Sequence, residues 1–340
     1  MSGKTTIQQA ADLPASPVGA ITRRAEAGLA DVIRAAYGTD AQYVILGDTD
    51  HGSRKLADRL LSREVLLAAA ESGVTDIYLE RDVKTQEAVI KLVGGDITPE
   101  QYADLTAGNN AHLPDERAYK IETEAPAILL AARLGIEVHM MDAHVRMKTG
   151  AEAEDEVYAG VTPEWMAENR AEFNEMRGTA RTGQWEAFYA DRVRADQELA
   201  HRIDATAEGR KGLIIYGEGH GSTYHDLDEH LKGASYKVDV YENDSEVRRF
   251  RSRFNEDPDF RHHYQDYTGD DSSGFHPGED KPDLIVTLSD SGPDTLYQTS
   301  NTPDALKTAV EPMGFTDDIE GQKIIDHALN RAAANDYPSP

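Results

Sequence analysis

Six short apolar runs constrain this chain more than any other feature. They are residues 43–46, 74–79, 136–141, 213–216, 236–241 and 283–288. Several are apolar at consecutive positions, and most are bounded by glycine or charged residues. That is the pattern of a strand covered on both faces. Helical stripes lie between them. Ile21, Ala25, Leu29, Val32, Ile33 and Ala36 recur at three- and four-residue steps, which predicts a helix from Gly19 that stops at Gly38. Leu56, Leu60, Leu61, Val65 and Ala68 predict one helix over 54–72, ended by Gly73. A third helix is predicted over 125–134, with Pro126 in its first turn and Gly135 after it. Strand, helix, strand at this spacing favours a parallel pair for the first two strands. The predicted fold class is α/β, a mostly parallel sheet with helices on both faces.

Three segments depart from the rhythm. Residues 143–208 are charged and carry helical stripes through Trp165, Met166, Phe173 and Met176, then Trp185, Phe188, Val193 and Leu199. They read as an inserted helical pair. Residues 244–282 are polar, with few aliphatics, and read as a long surface loop. Residues 1–17 are small and polar and read as disordered. The expected organisation is therefore a single α/β domain over 18–290. Residues 291–340 add a helix near 319–333 and a tail.

Composition removes several classes of function. The chain has no cysteine, so disulfides, zinc–thiolate sites, iron–sulfur clusters and cysteine nucleophiles are excluded. No apolar stretch reaches the roughly 18 residues of a membrane span. The start of the chain lacks the apolar core of a Sec signal peptide. The formal net charge of −27 disfavours nucleic acid and anionic lipid as partners. Gly-x-Ser-x-Gly, Walker, dinucleotide and His-Glu-x-x-His motifs are absent. Chemistry has to come from His, Asp, Glu and Arg.

Ligands of open parallel sheets bind outside the carboxyl ends of the strands. Those ends carry Gly47-Asp48-Thr49-Asp50-His51-Gly52, Glu80-Arg81-Asp82, Asp142-Ala143-His144 and Gly217-Glu218-Gly219-His220-Gly221. Acids and imidazoles therefore gather where a parallel sheet places its site. A plainer role stands beside each. Asp48 or Asp50 could cap the next helix. Gly217–Gly221 could be a flexible turn, although Glu218 argues against a phosphate cradle. Arg81 could pair with Glu80, and His144 or Arg146 with Asp142. His139 lies inside a strand and reads as a packed, hydrogen-bonded core histidine. The adjacent His262 and His263 read as non-catalytic.

The order of these motifs resembles the erythromycin esterase, ChaN and Tiki/TraB superfamily. The segment from Arg59 through Gly73-Val-Thr-Asp-Ile-Tyr-Leu-Glu80 is most similar to the branch found in bacterial dermonecrotic-type toxins and effectors. The resemblance implies that Asp48 is the first-motif acid, His51 its histidine, Glu80 the acid after the second strand and His220 the second-motif histidine. The family usually has Glu where this chain has Asp48. Arg194-Ala-Asp196 is one residue out of step with the family's helical arginine. Members include metal-free esterases, metal-dependent proteases and haem binders.

The expected function is a hydrolase acting on an ester or amide of a small molecule or peptide. Asp48, His51, Glu80 and His220 are the candidate catalytic residues, and Arg54, Arg81, Asp142 and Glu218 the candidate substrate-binding ones. His51 would be general base, since an imidazole with a pKa of about 6.5 suits neutral pH. In a metal-assisted version, His51, Glu80, Glu218 and His220 are the candidate ligands, and N/O ligation suits Mn, Fe, Co or Zn. The alternative is a non-catalytic haem- or metal-binding protein. Location is expected to be cytoplasmic, or exported without a Sec signal as an effector with a host target.

Overall fold

A computed structural model describes residues 23–108, 113, 115–142, 199–217, 227–243, 283–290, 292–298 and 302–317. Most of the predicted insertion, the 244–282 loop, the 319–333 helix and the first 17 residues lie outside the described residues. So do Glu218, His220, His144, Arg146, Arg194, Asp196, His262 and His263.

Among the described residues nine strands form one sheet, in the order β4-β3-β5-β2-β6-β7-β8-β1-β9. Here β1 is Arg23–Glu26, β2 Tyr43–Asp48, β3 Val74–Asp82, β4 Glu137–Asp142 and β5 Lys211–Gly217. β6 is Ser235–Tyr241, β7 Leu284–Thr287, β8 Thr295–Gln298 and β9 Thr316–Asp317. From β4 to β7 all neighbours run parallel. β8, β1 and β9 continue the sheet with antiparallel pairing. The α/β class and the mostly parallel sheet are thus as the apolar runs predict. β2 and β3 are parallel but not adjacent, because β5 enters between them.

Strand alternation sends successive side chains to opposite faces. Val44, Leu46, Leu213, Ile215, Val238 and Val240 join a core with helices α1 (Leu29–Tyr37), α3 (Arg63–Glu71) and α7 (Ala125–Arg133). Tyr43, Ile45, Tyr78, Ile214 and Tyr216 form a second core on the other face. Leu199, Ala200, Ile203 and Ala207 of the helical residues 199–207 cover it. Both faces of β2, β3 and β5 are therefore roofed, which explains why their runs are largely apolar.

Two predicted helices are corrected. The one expected from Gly19 begins only at Leu29, and Arg23–Glu26 is strand β1. Its backbone is taken up by β8 and β9, and Arg23 pairs with Glu311 at 2.7 Å. The helix expected over 54–72 is two helices, α2 (Arg54–Leu60) and α3. Ser62 caps α3 by accepting the Val65 amide. The buried stripe runs on across the break, so periodicity alone hides it. Between β3 and α7 lie α4 (Gln86–Gly94), α5 (Pro99–Leu105), α6 (Glu116–Tyr119) and a π-helical turn, Lys120–Glu124. Among the described residues no helix is long and apolar enough to cross a membrane.

Candidate functional site

β2 and β5 run in register to their last residues, with Asp48 opposite Gly217. β3 is in step with β5 through Leu79 opposite Ile215. The carboxyl ends of these three strands are therefore level, and they frame a small, partly enclosed cleft. Asp48, His51, Glu80, Arg81, Tyr119 and Tyr216 line it.

The turn after β2 is built by its own acids. Asp48 Oδ1 accepts the Asp50 amide at 3.1 Å, and Asp50 Oδ1 accepts the Gly52 amide at 2.8 Å. Thr49 donates its hydroxyl to the Val240 carbonyl at 2.7 Å, tying the turn to β6. Ser53, not Asp48 or Asp50, caps α2: its Oγ accepts the Leu56 amide at 3.1 Å and donates to Glu242 at 2.7 Å. Asp48 is thereby left to His51. Its Oδ2 stands 3.1 Å from His51 Nδ1. An ionised Asp48 can only accept, so Nδ1 carries the proton and neutral His51 presents a basic Nε2.

Glu80 faces that nitrogen. Its Oε2 is 4.0 Å from His51 Nε2 and accepts the Gly217 amide at 2.7 Å. The His51 side chain is 47% exposed, against 16% for Asp48 and 19% for Glu80. The imidazole therefore stands in the cleft while the two carboxylates form its floor. The Asp48 hydrogen bond raises the His51 pKa. Burial pulls it down, and the charges of Glu80 and Asp48 add to the rise. A side chain at Gly217 would crowd the imidazole. A Cβ on it would lie 2.8 Å from His51 Nε2 and 3.4 Å from Glu80 Oε2. The sequence marks Gly217 only as a strand end; its role as amide donor and close neighbour needs the fold.

Arg81 does not pair with the Glu80 carboxylate. Its Nε donates to Glu124 at 3.0 Å and an Nη donates to the Glu80 carbonyl oxygen at 2.7 Å. Arg54 turns to Asp58 at 2.7 Å and Glu122 at 3.1 Å, and its guanidinium lies 5.4 Å from the Tyr119 ring centre. Asp142 ends β4 opposite Asp82, half-buried. Neither Arg54 nor Asp142 is among the residues lining the cleft. Asp48, His51, Glu80 and Arg81 are brought together. Tyr119 adds to the wall and buried Glu124 stands behind it, both from a stretch in which sequence patterning signals no chemistry.

A second polar cluster lies at the opposite, amino-terminal end of the strands. Asp76, Glu137 and His139 could offer a metal ion ligand atoms within 4.8 Å of one another. Buried Asp76 already accepts His139 at 2.9 Å, Thr75 at 2.6 Å and both Arg210 nitrogens at 3.0 Å. A cation would have to displace the guanidinium. Burial pushes the Asp76 pKa up, but Arg210, Thr75 and His139 together bring it below its ordinary value. His139 also stacks on Tyr78, centroids 5.2 Å apart. It is a packed, hydrogen-bonded histidine.

Fold and site together define an open α/β sheet with an Asp–His–Glu cleft at its carboxyl edge. No family model matches the chain, and no curated protein matches it. Solved structures do show likeness. One is the type III effector HopBA1, at 16% identity and TM-score 0.39, covering 67% of this chain and 89% of that one. Another is a Bacillus cereus protein at 15% identity and TM-score 0.36, covering 61% and 68%. A third is ChaN of Campylobacter jejuni, which binds cofacial haem, at 10% identity and TM-score 0.34, covering 65% and 91%.

Proposed function

We propose that this protein is a hydrolase in which His51 activates water for attack on an ester or amide carbon. The observation that carries the reading is the Asp48–His51 pair at 3.1 Å, with Glu80 4.0 Å beyond the other ring nitrogen. Asp48 orients the ring and stabilises the imidazolium formed when Nε2 takes a proton from water. Glu80, held by the Gly217 amide, orients that water from across the cleft. Arg81 supplies positive charge beside the oxygen on which negative charge develops. His220 and Glu218 follow Gly217 directly in the chain and belong to the proposed machinery as a further imidazole and acid.

A metal-assisted version is the second form of this reading. His51 Nε2 and Glu80 Oε2, 4.0 Å apart, are wider than a tetrahedral ligand pair, so a divalent ion would need them to close. His51 and Glu80 would hold it, with Glu218 and His220 as further candidates. A bound ion would supply Lewis acidity toward the carbonyl or the water. The substrate is a small molecule or peptide, and delivery to a host target belongs to the same proposal. Fusing residues 1–30 to a translocation reporter tests delivery by itself.

A panel of activated esters and peptide amides tests the chemistry, with and without chelator. Turnover is expected in the wild type and lost in His51→Ala, with little change in melting temperature. A sharp fall in melting temperature with turnover intact would make His51 structural and end the reading.

A further inference from the structure

Glu80 and Arg81 are consecutive in β3, yet both line the cleft. In a regular strand they would point to opposite faces. The pairing of β3 with β4 supplies the reason. Leu79 lies opposite Met140 and Asp82 opposite Asp142, so two residues of β3 stand against one of β4. That is a bulge, and bulges re-aim side chains next to functional sites.

A second irregularity meets it. The π-helical turn Lys120–Glu124 lies between α6 and α7, and such turns carry an extra residue per turn. It delivers a fully buried Glu124, whose two oxygens are shared out. Oε2 accepts Arg81 Nε at 3.0 Å, and Oε1 accepts the Tyr102 hydroxyl at 2.8 Å. Lys120, also fully buried, brings its Nζ to 3.6 Å from Glu124 and 3.7 Å from Glu116. Burial alone would push the Glu124 pKa up, but Arg81 and Lys120 hold it below its ordinary value. Buried ion clusters are poor stabilisers, because an apolar replacement of the same volume is commonly as good. What this cluster does offer is direction. Two backbone irregularities, in partners 43 residues apart, converge on one ion pair behind the cleft.

We propose that Glu124 is a positioning residue. It clamps Arg81 so that the guanidinium holds the Glu80 carbonyl and thereby fixes the Glu80 side chain against His51. This deepens the hydrolytic reading and rests on it for the kinetic measurement alone.

Glu124→Gln in the full chain keeps the shape and the Tyr102 bond and removes the charge. Two signals are read: the Arg81 Nε–H resonance by NMR, assigned with Arg81→Lys, and hydrolysis of p-nitrophenyl acetate. In Glu124→Gln the resonance should lose its hydrogen-bonded shift and its exchange protection. kcat should fall about tenfold or more with KM nearly unchanged, and Glu124→Asp should recover part of the loss. Should the single variant unfold, Lys120→Met with Glu124→Gln removes one charge of each sign and is read the same way. An Arg81 resonance identical in wild type and variant overturns the proposal. So does intact hydrolysis in Glu124→Gln. A wild type inactive across the whole panel of esters and amides, but with an Arg81 signal that depends on Glu124, sinks the hydrolytic reading and supports the clamp.

Discussion

Asp48 and His51 are partners within one turn, whereas Glu80 is held by the distant Gly217 amide. Asp48 raises the His51 pKa, so the acid limb of a rate profile should lie above the ordinary value of about 6.5. Asp48→Asn is expected to move that limb to lower pH and to cut kcat about tenfold or more. An unmoved limb would remove Asp48 as the partner. Stability follows the same sign. A raised folded-state pKa contributes fully below about pH 6.5 and is lost as pH rises through the folded value. The melting-temperature advantage of wild type over His51→Gln should therefore be larger at about pH 5.5 than at about pH 9; the opposite order contradicts the pair. Gly217→Ala should displace the imidazole, since the new methyl would sit 2.8 Å from Nε2. Activity should fall steeply with a melting change of only a few degrees, as calorimetry and turnover measured together would show. That Asp48, His51 and Glu80 stand together was legible because strand ends announce where a parallel sheet binds. The Arg81–Glu124 clamp was not, because it joins residues distant in the chain through two irregularities that leave no periodic mark.

At the scale of elements, burial decides what can be read in advance. β2, β3 and β5 carry largely apolar runs because both faces are roofed, and all six runs from β2 to β7 were legible. β1 is Arg-Arg-Ala-Glu with only Ala25 buried, so its strand nature lies wholly in its pairing with β8 and β9. The same alanine falls in step with Ile21 and Leu29, which is why the segment reads as helix. β8 and the helix Asp304–Val310 are short and give little periodic signal. α2 depends on Ser53, which caps it and also donates to Glu242 beyond β6. Ser53→Ala is expected to cost about 1 kcal/mol or somewhat more, within the usual range for a lost helix cap. Denaturant unfolding would register it. A variant as stable as wild type would mean that the turn is held by Asp50 and Thr49 alone.

Over the whole molecule the net charge of −27 opposes compaction. Sodium chloride raised from about 0.01 M to about 1 M shortens the Debye length from about 30 Å to about 3 Å. The melting temperature should rise across that range. A fall would show that local pairs such as Arg23–Glu311 outweigh the general repulsion. The antiparallel margin has a different consequence. β1 precedes every other described strand in the chain, yet its hydrogen-bonding partners are β8 and β9, which come last. On a ribosome, then, the earliest strand to emerge waits unpaired until nearly all the rest has been synthesised.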